Sequence, residues 1–318
     1  MIGIRVAVCS LDLLMAANPA PIDVNTSRVS GDILFGDNLD LLAEIPSGSC
    51  RLIYIDPPFN TQKTQKRDRI TVTRDENGAR GGFGGAKYSV VRIASPQYVD
   101  QFDDFVAFMT PRLEQAYRIL SADGSLFLHI DYREVHYVKV LLDQIFGRES
   151  FINELIWSYD YGGKPKNRWP AKHDNILWYA KDPESYVFNY DAIDRIPYMA
   201  PDLVGPEKAA RGKIPTDVWW MTIVPTNSKE KTGYPTQKPL KLLNRIVQVH
   251  SNAGDTVLDF FAGSGTTGVA AANAQRKFIL IDSSPDAIRV MADRLSFASP
   301  NIRGMEVEES SKCQLALL

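Results

Sequence analysis

Apolar positions along the chain follow two alternating rhythms: short β-branched or aromatic runs, and longer stretches spaced at three and four residues. Residues 32–37 (Asp-Ile-Leu-Phe-Gly-Asp) read as a short strand and turn, and Asn38 to about Ile45 as an amphipathic helix. Leu52-Ile53-Tyr54-Ile55 is a strand that must stop at Asp56, because Pro57 and Pro58 fix φ and donate no ladder hydrogen bond. Over 102–120 the spacing of Phe105, Phe108, Leu113, Ala116, Tyr117 and Leu120 is helical. Residues 125–130 read as a buried strand and 135–146 as a helix; 152–157 and 175–180 read as strands, an antiparallel pair at one sheet edge. A helix over 239–250 precedes a strand from Thr256, an Ala-rich helix, a strand ending at Asp282 and a helix over about 286–297. Strands alternating with helices predict the α/β class. The sheet is expected to be doubly wound and mostly parallel, covered on both faces, with an antiparallel edge strand.

Two stretches carry candidate chemistry. Asp56-Pro57-Pro58-Phe59-Asn60 makes a rigid elbow at a strand's carboxyl end, where open α/β sheets place their ligands. The elbow offers a carboxylate, a backbone carbonyl that no neighbouring strand needs, and an aromatic face. Those groups suit a planar base bearing an exocyclic amine; Asp-Pro-Pro alone reads equally well as a proline-terminated strand with a solvent-facing aspartate. Downstream, Asp259-Phe260-Phe261-Ala262-Gly263-Ser264-Gly265-Thr266-Thr267-Gly268 turns a strand into a helix through glycines that let backbone approach a ligand. Gly263, Gly265 and Gly268 match the G-x-G-x-x-G dinucleotide fingerprint, with Asp282 as the acid at the next strand end. A nicotinamide dehydrogenase needs a long nucleotide domain after that point, and only about fifty residues remain. Asp259 beside Phe260 and Phe261 suits a cofactor with a cationic centre and no pyrophosphate, although no single residue excludes the dinucleotide.

Together the two motifs resemble the S-adenosylmethionine-dependent amino-methyltransferases of DNA, which modify N6 of adenine or N4 of cytosine. Asp56-Pro57-Pro58-Phe59 looks like the family's catalytic D/N/S-P-P-Y/F motif, and Phe260, Ala262, Gly263 and Gly265 lie in what looks like its F-x-G-x-G cofactor motif. The catalytic motif comes first and Tyr234-Pro235-Thr236-Gln237-Lys238-Pro239-Leu240 sits just before the cofactor motif, an order similar to the circularly permuted beta group. The resemblance runs from about Gly31 to Leu295, apart from parts of the middle. It implies four segments: a leader (1–30), a catalytic half (31–181), a target-recognition region (182–233) and a cofactor-binding half (234–318). Within the catalytic half, 61–97 reads as a flexible basic loop with eight bases against three acids, able to close over the site on a polyanion.

The implied reaction is methyl transfer from S-adenosylmethionine to an amine of a base flipped out of double-stranded DNA. Adenine-N6 is favoured because Asp opens the Pro-Pro motif, where cytosine-N4 relatives often carry Ser. An RNA or protein-amide methyltransferase is a further reading, as is a binding module with a dead catalytic fold, which would have lost the acid or the glycines. By the resemblance, Asp56 and the Pro57 carbonyl accept hydrogen bonds from the amine, Pro58 completes the elbow, Phe59 stacks on the base, and Asn60 holds the turn or touches the base edge. Relatives often carry Tyr at the position of Phe59; Phe keeps the stacking face. Asp282 would bond the ribose hydroxyls, Asp37 would lie near the adenine, and Thr236 and Lys238 near the methionine carboxylate. Gly263 and Gly265 would admit the methionine moiety. Thr266 would add a bond or cap the helix. Asp259, Phe260 and Ala262 complete the cofactor set, and Trp219 and Trp220 read as packing residues.

Composition narrows this further. A chain of 318 residues, 44% hydrophobic, can bury a core as one large domain or one domain with an insertion, and a net charge of −2 argues against a uniformly basic surface. Cys9, Cys50 and Cys313 show no metal or disulfide spacing, and His129, His136, His173 and His250 show no metal pattern; His129 reads as a core or turn histidine. No apolar run approaches the roughly 18 residues of a membrane span, and Arg5 and Asp12 spoil a faint signal-peptide pattern at 2–17. A cytoplasmic enzyme with no metal is expected. A homodimer is compatible with the group's habits, and without a nuclease motif any restriction endonuclease would be a separate chain.

Overall fold

The computed structural model describes residues 31–305, except 61–62, 67–68, 75–79, 82–86, 95–96, 101, 103 and 226. The leader at 1–30, the glycine run at 82–85, Cys9 and Cys313 therefore lie outside the described residues. The chain begins with β1 (Gly31–Phe35), α1 (Asn38–Glu44) and β2 (Cys50–Ile55). Five short strands follow: β3 (Lys63–Lys66), β4 (Arg69–Arg74), β5 (Arg80–Gly81), β6 (Lys87–Ala94) and β7 (Gln97–Asp100). Next come α2 (Phe105–Ile119), β8 (Leu120–Ile130), α3 (Val135–Phe146), β9 (Phe151–Ser158) and β10 (His173–Ala180). The remainder is α4 (Pro206–Arg211), β11 (Val218–Trp220), α5 (Leu240–His250), β12 (Thr256–Asp259), α6 (Thr266–Asn273), β13 (Lys277–Asp282), α7 (Pro285–Arg294) and β14 (Asn301–Arg303).

Nine strands make one sheet in the order β11-β9-β10-β8-β2-β12-β13-β1-β14. Its described pairings are parallel except the two that flank β10. The sequence places the antiparallel pair at an edge; in the structure β10 alone runs backwards and lies third from the edge. The reason is β11, three residues inside a proline-rich stretch, which adds in parallel outside β9. Strand length is the missing signal, since three residues carry no readable period.

Alternation along β2 explains the layering. Leu52 and Tyr54 point into one core with Leu242, Ile246 and Ala270 of the helices after β11, while Ile53 and Ile55 point into the other with Leu42, Met109 and Leu142. A strand buried on both faces reads as a continuous apolar run, as β2 does. Helix starts follow their caps: Asp37 accepts from the Leu39 amide at 2.8 Å, Asp104 from the Ala107 amide at 2.9 Å, and Ser284 precedes Pro285 at the first turn of α7. Sequence-predicted elements from 102 to 146 and from 239 to 282 match these bounds within a few residues.

The segment read as a loop contains paired strands. β3 pairs with β7, and β4-β6-β5 form a three-stranded antiparallel sheet. The β-branched residues in 69–74 and 87–94 suit strands, a signal that the flanking glycines and bases obscure.

At the centre, β2 and β12 are neighbours, yet the chain leaves them in opposite directions, β2 toward β8 and β12 toward β13. Their carboxyl ends bound a crevice of the kind that forms wherever strand order reverses.

His250, at the end of α5, is buried against the rings of Phe127, Trp178 and Phe188 at 4.6, 4.4 and 5.4 Å between centroids. Burial pushes its pKa down from 6.5 to about 3, against a weaker upward pull from the Val187 carbonyl. Between those values the unfolded chain binds a proton that the native one does not, so stability is lost as pH falls below about 6.5, by an amount on the order of a few kcal/mol. Urea midpoints of wild type and His250→Phe, compared at pH 7 and 4.5, check this: the variant should lose clearly less. Equal losses would mean that His250 takes its proton in the native state at the same pH as in the unfolded chain.

Candidate active site

A cavity of about 510 Å³ opens at the carboxyl ends of the central strands. Asp56, Pro57, Pro58 and Phe59 enter it from the end of β2, and Asp259, Phe260, Ala262, Gly263 and Thr266 from β12 and the start of α6. Asp282 comes from β13, Asp37 from the end of β1, and Thr236 and Lys238 from the turn before α5. Of the residues expected at a site, only Asn60 and Gly265 are absent from its wall.

The elbow is arranged around one carboxylate. Asp56 Oδ2 is paired with the Lys238 ammonium, while Asp56 Oδ1 is buried without a hydrogen-bond partner. Lys238 Nζ also lies 5.1 Å from the centre of the Phe59 ring, so in this structure the lysine sits at the elbow. Asn60 adopts a left-handed φ of 52°, donates to Glu134 Oε1 at 2.9 Å and accepts from the Phe102 amide at 3.0 Å. Those bonds tie the exit of the elbow to α2's approach and to Glu134.

Behind the elbow lies a buried polar chain. The Phe59 ring stacks on His129 at 5.9 Å and 20°. His129 Nδ1 meets the Tyr54 hydroxyl at 2.9 Å, and its Nε2 meets Asp174 Oδ2 at 3.1 Å. The Tyr159 hydroxyl donates to Asp174 Oδ1 at 3.0 Å. Burial acts to raise the Asp174 pKa, but the His129 hydrogen bond and charge outweigh it and hold the carboxyl below its usual value. Burial first, then the negative charges of Asp56, Asp259 and Asp174, keep Tyr54 well above its usual value and therefore neutral. His129 is a core histidine, as expected, and it also backs the aromatic face of the elbow.

The opposite wall is the glycine bend. Gly263 and Gly265 have φ of +50° and +71°, and a Cβ on Gly265 would come 2.7 Å from Met291 Cγ. Gly265 therefore shapes the turn from behind. Asp282 accepts from the Gly263 and Ser284 amides, each at 2.8 Å, and burial raises its pKa. Asp259 accepts from the Phe261 amide at 3.0 Å and the Thr267 hydroxyl at 2.6 Å, and burial pushes its pKa up to about 7. The Thr266 hydroxyl donates to the Lys238 carbonyl at 3.2 Å and accepts from Arg294 at 2.8 Å, tying the bend to the lysine's backbone. The helix cap falls instead on Gly265, which has no side chain to give.

Several lining residues escaped the sequence reading. Arg112 of α2 is buried, donates from Nε to Asn38 Oδ1 at 2.6 Å and reaches Asp37 at 3.4 Å. Asn38 in turn donates to the Phe260 carbonyl at 2.8 Å, so one arginine fixes two strand ends. A base on the apolar face of a helix was the available signal. Thr236 holds a φ of 56°, a region that β-branched residues avoid and that concentrates at functional sites. Of the two tryptophans read as packing residues, Trp219 is buried and Trp220 is exposed. No group of three or more His, Cys, Asp or Glu able to hold a metal occurs among the described residues, and no described helix is long and apolar enough to cross a membrane.

Comparison with known proteins places this geometry. A family model described as DNA methylase matches residues 50–293. The DNA adenine methyltransferase YhdJ of Escherichia coli is 30% identical over 280 residues, covering 84% of this chain and 83% of that protein. The type II methyltransferase M.HpaI of Haemophilus parainfluenzae is 29% identical, covering 83% and 73%. Among solved structures, the M1.HpyAVI–SAM complex aligns with a TM-score of 0.53 at 21% identity over 84% of this chain and 98% of that one. The cytosine-N4-specific PvuII DNA methyltransferase aligns at 0.57 and 18% over 84% and 88%, a likeness of fold. The chain belongs to the DNA methylase family of N6- and N4-amino-methyltransferases.

Proposed function

We propose that the protein transfers a methyl group from S-adenosylmethionine to N6 of an adenine flipped out of duplex DNA. The observation that carries this reading is Asp56 Oδ1, a buried carboxylate oxygen at a cavity wall with no partner of its own. Such an atom is costly to bury unless something that donates a hydrogen bond arrives. An amino group is such a donor, and the adenine named for YhdJ, together with Asp opening the elbow, favours N6 over cytosine N4.

The cavity suits the cofactor chemically. Asp259 and Asp282 offer negative charge to a sulfonium and to ribose hydroxyls, Phe108 and Phe261 offer apolar faces, and the glycine bend brings backbone close. S-adenosylmethionine supplies a methyl carbon made electrophilic by its positive sulfur. Asp56 and the Pro57 carbonyl accept hydrogen bonds from the amine, whose lone pair is otherwise shared with the ring, and so favour a nitrogen with that pair free to attack. The bound cofactor would supply its methyl carbon to that nitrogen and keep the carbon–sulfur electron pair as a neutral thioether, and Asp56 would receive the nitrogen's surplus proton. The amine takes the free Oδ1, so the Lys238 ammonium can stay on Oδ2 and hold the carboxylate in place. Phe59, stiffened from behind by His129, stacks on the base and repays part of the cost of extrusion, a few kcal/mol.

Incubation with mixed duplex DNA and tritiated S-adenosylmethionine, followed by digestion to nucleosides, should place the label in N6-methyldeoxyadenosine. Label in N4-methyldeoxycytidine would move the base assignment, and label only in RNA or protein would overturn the reading. In the same assay Asp56→Ala should cut kcat by about 10²- to 10³-fold with little change in cofactor affinity. Phe59→Ala should lower kcat/KM for DNA by roughly ten-fold or more, again sparing cofactor binding; equal loss of both would refute the stacking role.

Asp259 adds a pH signature. Its ionised form favours a cation, and that form grows as pH rises through about 7. Calorimetric Kd for S-adenosylmethionine should therefore tighten from pH 6 to 8, by up to about tenfold, and Asp259→Asn should abolish the trend. A flat profile in the wild type would show that Asp259 does not face the sulfonium.

A further inference from the structure

The loop 159–172, between β9 and β10, escaped the sequence reading, and its position in the sheet gives it a role. Ser158 and His173 pair across its root, Asn175 of β10 pairs with Ile130 of β8, and Leu128 of β8 pairs with Ile55 of β2. The loop therefore springs from the same end of the sheet as Asp56, two strands over. Its root is stiff: the Tyr159 amide donates to the Lys172 carbonyl at 3.0 Å, and Lys172 Nζ donates to the carbonyls of Tyr161 and Gly162 at 2.6 and 2.9 Å.

Its tip stands open to solvent. Trp169 is 95% exposed and Tyr161 64% exposed, and Lys164, Lys166 and Arg168 stand exposed around them with Asp160 as the loop's single acid. An indole left almost wholly in water gives up a large apolar surface, and tryptophan so displayed is characteristic of surfaces that bind something flat.

A second cavity, about 230 Å³, lies beneath this loop, lined among others by Arg133, Arg168, Tyr159 and Asp174. Asp131 answers Arg133 at 2.8 Å, and Asp174 is held by His129 and Tyr159. Asp174 and His129 thus form the wall between this cavity and the Phe59 face of the active site.

We infer that 159–172 is a DNA arm: Lys164, Lys166 and Arg168 neutralise backbone phosphates beside the target nucleotide, and Trp169 stacks on a base next to the extruded one. Alternating bases and aromatics on a pinned loop are what a polyanion of stacked rings requires. The inference rests on the proposed DNA reading and adds a surface distinct from the strand-end site and from the region 182–233.

The test uses the full chain carrying Lys164→Ala/Lys166→Ala/Arg168→Ala, or Trp169→Ala, or Trp169→Phe, with fluorescence anisotropy on a mixed-sequence duplex and tritium transfer read in parallel. The triple variant should weaken duplex binding at least tenfold and lower the slope of log K against log salt by two to three, about 0.9 per phosphate, with unchanged KM for S-adenosylmethionine. Trp169→Ala should lower kcat/KM for DNA about tenfold, and Trp169→Phe should restore most of it. Binding, salt slope and kcat/KM within twofold of wild type in both alanine variants would overturn the arm. A wild type that binds duplex but labels no DNA base would overturn the methyl-transfer reading, and anisotropy would still decide the arm; a wild type that binds no duplex overturns both.

Discussion

Everything at the active site depends on the parallel pairing of β2 with β12, through Leu52 with Val257 and Ile53 with Leu258. Some two hundred residues separate these strands in the chain, and backbone hydrogen bonds bring them side by side pointing the same way. Both then end at the same level, one in Asp56-Pro57-Pro58 and the other in Asp259 and the glycine bend. Because the chain diverges from the pair to opposite sides, no crossover covers the gap between them. The cavity is a consequence of strand order, and strand ends supply much of its lining, with α2 and the turn before α5 adding the rest.

What fills the gap electrostatically is a concentration of acid. Asp37, Asp56, Asp259 and Asp282 all reach the cavity, against Lys238 and Arg112. Two of them, Asp259 and Asp282, are satisfied chiefly by backbone amides and a hydroxyl, partners that stabilise a carboxylate without cancelling its field. Burial raises both pKa values, so each carboxylate is held ionised less firmly than one in water. Stiffness complements charge: prolines fix the elbow, Asn60 fixes its exit, and the Tyr54–His129–Asp174 chain supports the aromatic ring from behind. Preorganised acceptors are what a weakly nucleophilic amine needs.

Much of this was legible in the sequence, for identifiable reasons. The elbow announced itself because proline has few places to go in a sheet, and the bend because glycines followed a strand. The alternation of β2 and the spacing of α2 and α5 follow from burial and were readable without any partner. Other features were not. A three-residue strand such as β11 has no period, so the inward position of β10 could only be seen in three dimensions. Arg112, Asn38 and Tyr234 reach the cavity from elements whose local pattern says only helix or turn. Lys238 was expected near the cofactor's carboxylate, and its ion pair with Asp56 depends on a register that no local pattern encodes. The loop 159–172 carries no motif of its own, and only the sheet order shows that its root lies at the same end of the sheet as Asp56, two strands over.

The most direct measurement is a crystal structure of the protein with a non-reactive S-adenosylmethionine analogue and a duplex it modifies. An extruded base should lie against Phe59 with its exocyclic nitrogen about 3 Å from Asp56 Oδ1 and from the Pro57 carbonyl, and the analogue should rest on the bend at Gly263 with its reactive end facing that nitrogen. A base still stacked in the duplex with Asp56 Oδ1 unoccupied, or an analogue bound away from the bend, would contradict the account.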